Sequence, residues 1–273
     1  MRKTGRGLVY LVLGTHALLT VFPFLWVLSN AFRDSDAILT SLRLIPESFR
    51  LDNFVHLLQA TNIPWAFWNS VTITAVSLAL LLAVALPLAF VIARFRFRLA
   101  EYVYLLFALA VLVPSVSVLP MTFRLFNNLG LFGSKYGITL VYATEQLPIS
   151  VFLLVTFMRA IPHELDEAAL IDGCGIWDLF HRVIVPLSSN GVVTVLILAF
   201  VAIWNDYLTA LVLLPDQQNR TLSVALAYAK DEYRVDYGMM SAAIVFAVTP
   251  MLLLYLVLKD RITTGMAAGA VKG

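Results

Sequence analysis

The residues able to do chemistry are few, and most sit in one stretch. Glu164, Asp166, Glu167, Asp172 and Asp178 lie close together, and Arg182 is the one Lys or Arg among them. Pro162 stands just ahead. It suits the first position of a helix, where its missing N–H would have no partner anyway. Three of the acids then crowd a first turn, where the helix dipole favours anions. Gly173 can end that helix in a left-handed conformation. Ile176, Phe180 and Val183 recur at i, i+4 and i+7, which predicts an apolar face on a second short helix that Pro186 stops. This pattern offers docking rather than catalysis: two short helices joined at a glycine, rigid, partly apolar and acidic at one end, suited to a groove on a soluble partner. The alternative is an amphipathic helix resting on lipid. Such helices favour Lys and Arg on the polar face, and five acids would be repelled by anionic lipid.

The remaining polar candidates are isolated. Glu145 and Gln146 lie mid-run in an apolar stretch that Pro148 interrupts. A charge at mid-bilayer costs about 3 kcal/mol on insertion scales, so such residues are functional or paired. Two readings stand for Glu145 and Gln146: lining a translocation path, or a structural hydrogen bond at an interface between subunits. Asn205 and Asp206 are further path candidates; for Asp206 a helix-break or packing role carries slightly more weight. His16, His56, His163 and His181 show no i, i+4 pairing for a metal, and no nucleophile–base arrangement can be built. No Gly-x-x-x-x-Gly-Lys loop exists, so the chain should bind no ATP and no cofactor of its own. Cys174 is the only cysteine, which excludes an intrachain disulfide.

The elements that must position these residues are membrane helices. Of 273 residues, 60% are hydrophobic and 13% charged, against about 25% charged in ordinary soluble domains. Mean hydropathy is +0.87. Disorder is excluded by the same arithmetic, and a net charge of +2 gives no reason to expect nucleic acid. A helix needs about 20 mostly apolar residues to cross a bilayer. The charge-poor runs predict six spans, about 8–30, 69–93, 102–123, 138–159, 192–213 and 239–259, within a single membrane domain over 1–273. A β-barrel would alternate, and these runs do not. Eleven of the 19 Lys and Arg fall inside if the N-terminus is cytoplasmic, with the tight turn Arg94–Arg98 and the basic N-terminal tail weighing most. Both termini are then cytoplasmic, as are the 160–191 loop and the tail 260–273, while 31–68, 124–137 and 214–238 lie outside.

Glu167, Ala168, Ala169, Asp172, Gly173, Phe180, Ile184 and Pro186 together resemble the EAA motif of ABC-importer permeases, with the same internal spacing. Trp204, Asn205, Asp206 and Tyr207 are similar to the fifth-span signature of the carbohydrate-uptake branch. The ending Gly265–Gly273 resembles the tail of the six-span maltose-type permease subunit. The resemblance implies an all-α membrane fold of six transmembrane helices with a cytoplasmic coupling helix. It implies a non-enzymatic permease for an oligosaccharide or disaccharide in a bacterial or archaeal inner membrane. Implied partners are a second permease, giving a heterodimer, two ATPase subunits that hold ATP and Mg, and an extracytoplasmic sugar-binding protein. The coupling helix would seat in an ATPase cleft with Glu167 facing a basic group. Gly265, Gly269, Lys272 and Gly273 would contact the ATPases, and 214–238 would meet the binding protein. Two residues depart from the family pattern: Cys174 replaces an alanine, and Asn190 stands where a second proline often follows. A permease for a non-sugar solute is the neighbouring reading. An ion-coupled secondary transporter is a further one, which would call for inverted repeats that are not visible.

Overall fold

The computed structural model describes residues 2–41, 43–46, 49–232 and 236–270, with side chains described between Gly7 and Leu258 except at 42, 47–48, 60 and 229–235. Among the described residues every regular element is helical. They are α1 (Arg2–Asn30), α2 (Ser35–Thr40), α3 (Asp52–Ala60), α4 (Ile63–Arg94), α5 (Ala100–Ala110), α6 (Ser115–Asn128) and α7 (Lys135–Arg159). There follow α8 (Glu164–Ile171), α9 (Ile176–Asp178), a π-helical turn (Leu179–Ile184), α10 (Val185–Leu187), α11 (Ser189–Asn205), α12 (Leu208–Leu213), a 3-10 turn (Gln217–Asn219), α13 (Leu222–Glu232) and α14 (Tyr237–Ala270). Four stretches are long and apolar enough to cross a membrane unbroken: Gly7–Asn30, Ile63–Arg94, Lys135–Arg159 and Tyr237–Leu258.

Two expected spans are broken. The one read over 102–123 is α5 and α6, bent by 99°. Pro114 explains the break: it has no N–H to donate, and it disfavours helical backbone at Val113. The chain turns through Leu112 and Val113 with i→i−3 bonds to Leu109 and Ala110 before α6 begins. The span read over 192–213 ends as α11 at Asn205, and Asp206 is extended (φ −63°, ψ 128°) before α12 starts. At the other end of α11 the run Ile176–Leu187 meets it at 71°. The segment 214–238, read as a loop, contains α13. The segment 260–270, read as part of a tail, continues α14. Gly265 and Gly269 lie in that helix, at a cost of about 1 kcal/mol each relative to alanine, while Lys272 and Gly273 fall outside the described residues.

The chain divides into two compact units, Met1–Phe67 with Ala225–Pro250, and Trp68–Val224 with Met251–Gly273. In the first, α1 exposes every residue from Gly7 to Leu25. The segment after it is organised by a buried Arg33. Its Nη1 donates to the Arg43 carbonyl (2.9 Å) and Asn30 Oδ1 (3.3 Å), and its Nη2 to the carbonyls of Ala37 (2.6 Å) and Ser41 (3.0 Å). Asn53 donates to the carbonyls of Ala31 and Arg33. Gly238 lies so close to the Arg33 carbonyl that any Cβ would collide with it.

The second unit carries the main core. From α4 come Leu81, Ala85 and Ala89; from α7 Val151, Leu154, Val155 and Met158; from α11 Val195 and Ala199. Burial from lipid gains no hydrophobic free energy, so these helices associate through close packing that small residues permit. Gly191 shows how close: a Cβ there would lie 2.6 Å from the Phe157 ring of α7. At the other end of the unit, Asn69 donates to the carbonyls of Gln218 (2.8 Å) and Arg220 (3.0 Å). Ser70 Oγ accepts the Leu222 N–H at 2.8 Å, tying that segment to α4.

Candidate functional site

The acidic stretch forms one continuous structure. α8 begins at Glu164, with Glu164, Asp166 and Glu167 in its first turn. It ends as a Schellman motif: the Gly173 N–H bonds the Leu170 carbonyl (3.1 Å) and the Cys174 N–H the Ala169 carbonyl (3.0 Å). Gly173 has φ +84°, the left-handed conformation expected of it, and a Cβ there would meet nothing within 4 Å.

The second helix differs from its sequence pattern. After α9 the chain takes a π-turn, and Pro186 lies inside α10 rather than ending the run. The Val185 N–H reaches back five residues to the Phe180 carbonyl. This wider turn lets the ladder pass a residue with no N–H. It also rotates the buried face from Ile176, Phe180 and Val183 to Leu179, Phe180 and Ile184, which are 5%, 5% and 0% exposed. The chain turns at Ser188, whose Oγ bonds the Ile184 carbonyl.

Two faces result. Ala169, Leu179, Phe180 and Ile184 belong to the same core as α4, α7 and α11, and Phe180 packs on Phe90 with ring centroids 5.1 Å apart. Glu167, Ala168, Asp172, Gly173, Ile171 and Trp177 face outward, Ile171 85% and Trp177 69% exposed. Glu167, Ala168 and Ile171 share one face by helical spacing, a signal that marks Ile171 from the sequence as well.

A polar clamp fixes α8 to the end of α4. Arg94, its side chain 2% exposed, donates from Nη1 to the Ile161 carbonyl (3.0 Å), and its Nε lies 3.5 Å from Asp166 Oδ2. His163 Nδ1 lies 3.2 Å from the same oxygen. Nothing local in the sequence pairs Arg94 with Asp166, so only the fold reveals this contact.

The mid-run candidates separate. Asp206 is fully engaged: its Oδ1 accepts from the Tyr142 hydroxyl (2.9 Å) and the Ala210 N–H (3.1 Å), and its Oδ2 from Thr209 Oγ1 (3.1 Å). It caps α12 at the helix break. Asn205 donates to the Val201 carbonyl of its own helix at 2.9 Å. Glu145, half-buried on α7, makes no hydrogen bond or ion pair among the described residues. Gln146 is half-buried beside it, its carbonyl accepting from Ser150 Oγ at 2.7 Å. The described residues hold no group of acids, histidines and cysteine arranged for a metal.

Residues 85–267 match the family model described as binding-protein-dependent transport system inner membrane component. The chain is 34% identical over 267 residues to the diacetylchitobiose uptake system permease protein NgcG of Streptomyces coelicolor, covering 94% of this chain and 88% of that one. It is 31% identical to the trehalose transport system permease protein SugB of Mycobacterium tuberculosis, covering 93% of each. In fold it is similar to a chain of a bacterial ABC transporter involved in the import of the polysaccharide alginate, with a TM-score of 0.82 at 20% identity, covering 94% of this chain and 97% of that one. The family match over most of its length, with the likeness to the diacetylchitobiose permease along nearly all of it, places this chain, a multi-pass membrane transport subunit and not an enzyme, in the family of binding-protein-dependent transport system inner membrane components.

Proposed function

We propose that the chain is the permease subunit of an ATP-driven importer for an oligosaccharide or disaccharide handed over by an extracytoplasmic binding protein. Residues 1–273 work as one permease domain, with both termini in the cytoplasm of a bacterial or archaeal cell. A second permease completes the pathway, and two ATPase subunits hold ATP and Mg. The observation that carries the reading is the two-faced element from α8 to α10. One face is packed into the core of the spans, while the other presents Glu167, Ala168, Ile171 and Asp172 outward around a glycine-closed turn. A partner that moves this element moves the helices behind it, because packed cores shift as rigid bodies. The saccharide is supported by relatives named for diacetylchitobiose and trehalose uptake. Glu145 and Gln146 are the path residues, since Asp206 is occupied by its caps. Segment 214–238 meets the binding protein. Gly265, Gly269, Lys272 and Gly273 contact the ATPases.

The test is reconstitution of the chain with its second permease, ATPases and binding protein, and assay of ATP-dependent uptake across a panel of disaccharides and oligosaccharides. Uptake of at least one saccharide, abolished without ATP, is expected. Uptake driven by an ion gradient without ATP, or of non-sugar solutes alone, would overturn the assignment.

A further inference from the structure

At the end of the second unit where α4 and α7 both finish in arginine, a cleft of about 600 Å³ opens between the α4–α5 turn and the end of α7. Its wall is the run Arg94-Phe95-Arg96-Phe97-Arg98, with Arg159 and His163 opposite. The charges facing it do not cancel. Arg159 pairs with Glu101 at 2.8 Å, and Arg94 and His163 share Asp166. Arg96 and Arg98 are exposed and have no acid partner among the described residues. Arg94 itself is turned inward: its Nε and Nη2 and the facing Asp166 Oδ1 are all buried, which leaves Arg96 and Arg98 as the charges open to the cleft.

The aromatic residues set the depth. Phe95 and Phe97 are 40% and 41% exposed, alternating with the arginines in the non-helical turn that follows α4. Arginine at the end of a span reaches the headgroup level of a bilayer, and the exposed phenyl rings beside it suit the acyl region just below. Basic pockets between transmembrane helices bind anionic lipid headgroups. The acidic α8 beside it would repel the same lipids, which confines the attraction to the cleft.

We propose that this cleft binds the phosphate diester of an anionic phospholipid headgroup, held by Arg96 and Arg98, with Phe95 and Phe97 against the upper acyl chains. Guanidinium groups suit phosphate oxygens because their N–H fork matches that geometry. Arg94 lines the cleft and clamps α8, so an occupied cleft would brace the element that presents Glu167 and Ile171.

The experiment uses the full chain in nanodiscs of equal phosphatidylglycerol and phosphatidylcholine, with lipids retained on release counted by native mass spectrometry. The wild type is expected to retain phosphatidylglycerol over phosphatidylcholine. Each surface arginine is worth about fivefold in affinity, so the double variant Arg96→Gln, Arg98→Gln should weaken retention about thirtyfold. Both residues are exposed, so the fold should survive, and Arg124→Gln, an exposed arginine elsewhere, should leave retention unchanged. Millimolar inorganic phosphate separates the sources: it should not displace the lipid. Displacement by phosphate would mean a site for the free ion, and equal retention by wild type and double variant would mean no site at these residues. Either result overturns the proposal, as does equal retention of the two lipids.

Discussion

At the scale of single residues, positions that look alike in the sequence carry different duties. Gly173 has φ +84° and open space around it, so a side chain there would meet strain and no clash. A β-branched residue held at such a φ costs about 1–3 kcal/mol. Gly173→Val should therefore reach the membrane in normal amounts yet lose sugar uptake as its turn reopens, while Gly173→Asn, which tolerates left-handed backbone better, should lose less. Uptake per molecule at matched expression is the measurement, and wild-type uptake by the valine variant would refute the turn's role. Asp206 and Glu145 make a second contrast. Asp206→Ala removes a cap, worth about 1 kcal/mol, and strands the buried Tyr142 hydroxyl at a cost of about 1–3 kcal/mol. It should lower thermal stability by about 2–4 kcal/mol in sum. Glu145→Gln disturbs no hydrogen bond, so it should leave the unfolding temperature alone and change the KM for uptake. Reversal of these two patterns would exchange the roles of the two carboxylates.

At the scale of elements, the clamp between α4 and α8 ties a surface helix to the end of a span. Arg94 and Asp166 are both largely buried, and removing one partner of such a pair costs about 3–5 kcal/mol when burial is complete. Asp166→Asn should leave the spans inserted but loosen α8. The assembled importer should then hydrolyse ATP with less sugar moved per ATP, and the ratio of the two rates measures it. An unchanged ratio would mean that the core packing of Phe180 and Ile184 suffices. How far the sequence showed this element depends on the range of the interactions. α8, its acidic first turn and the left-handed Gly173 are local and were legible. The π-turn was not, because helical periodicity assumes 3.6 residues per turn. The wider turn moved burial from Ile176 and Val183 to Leu179 and Ile184. The same limit hid the bend at Pro114, since an apolar run has the same composition whether straight or folded. Arg94 and Asp166 are distant in sequence, and no spacing rule joins them.

At the scale of the whole molecule, two stretches bear on assembly. One is α1, an apolar helix exposed from Gly7 to Leu25. The other is the far end of α14, which continues as helix through Ala270 beyond the apolar stretch that closes at Leu258. About 12 residues of helix past a span reach roughly 18 Å from the bilayer, at 1.5 Å per residue. That is the reach available for the proposed contact with an ATPase subunit. Small residues such as Gly265, Ala267, Ala268 and Gly269 let another backbone come close. The stretch opens with Lys259, Asp260 and Arg261, but from Gly265 on it offers few side chains, so that part can be held only by close packing and by its polar end. Removing 265–273 should therefore leave all membrane spans inserted and the complex assembled. Sugar uptake and sugar-stimulated ATP hydrolysis should fall together, since a weaker hold on the ATPases affects both sides of the cycle. If the segment touched only lipid, truncation would change neither rate. The comparison is made in the reconstituted importer, with and without the segment, at equal subunit stoichiometry. Equal rates in both assays would leave the extension of α14 with no part in transport.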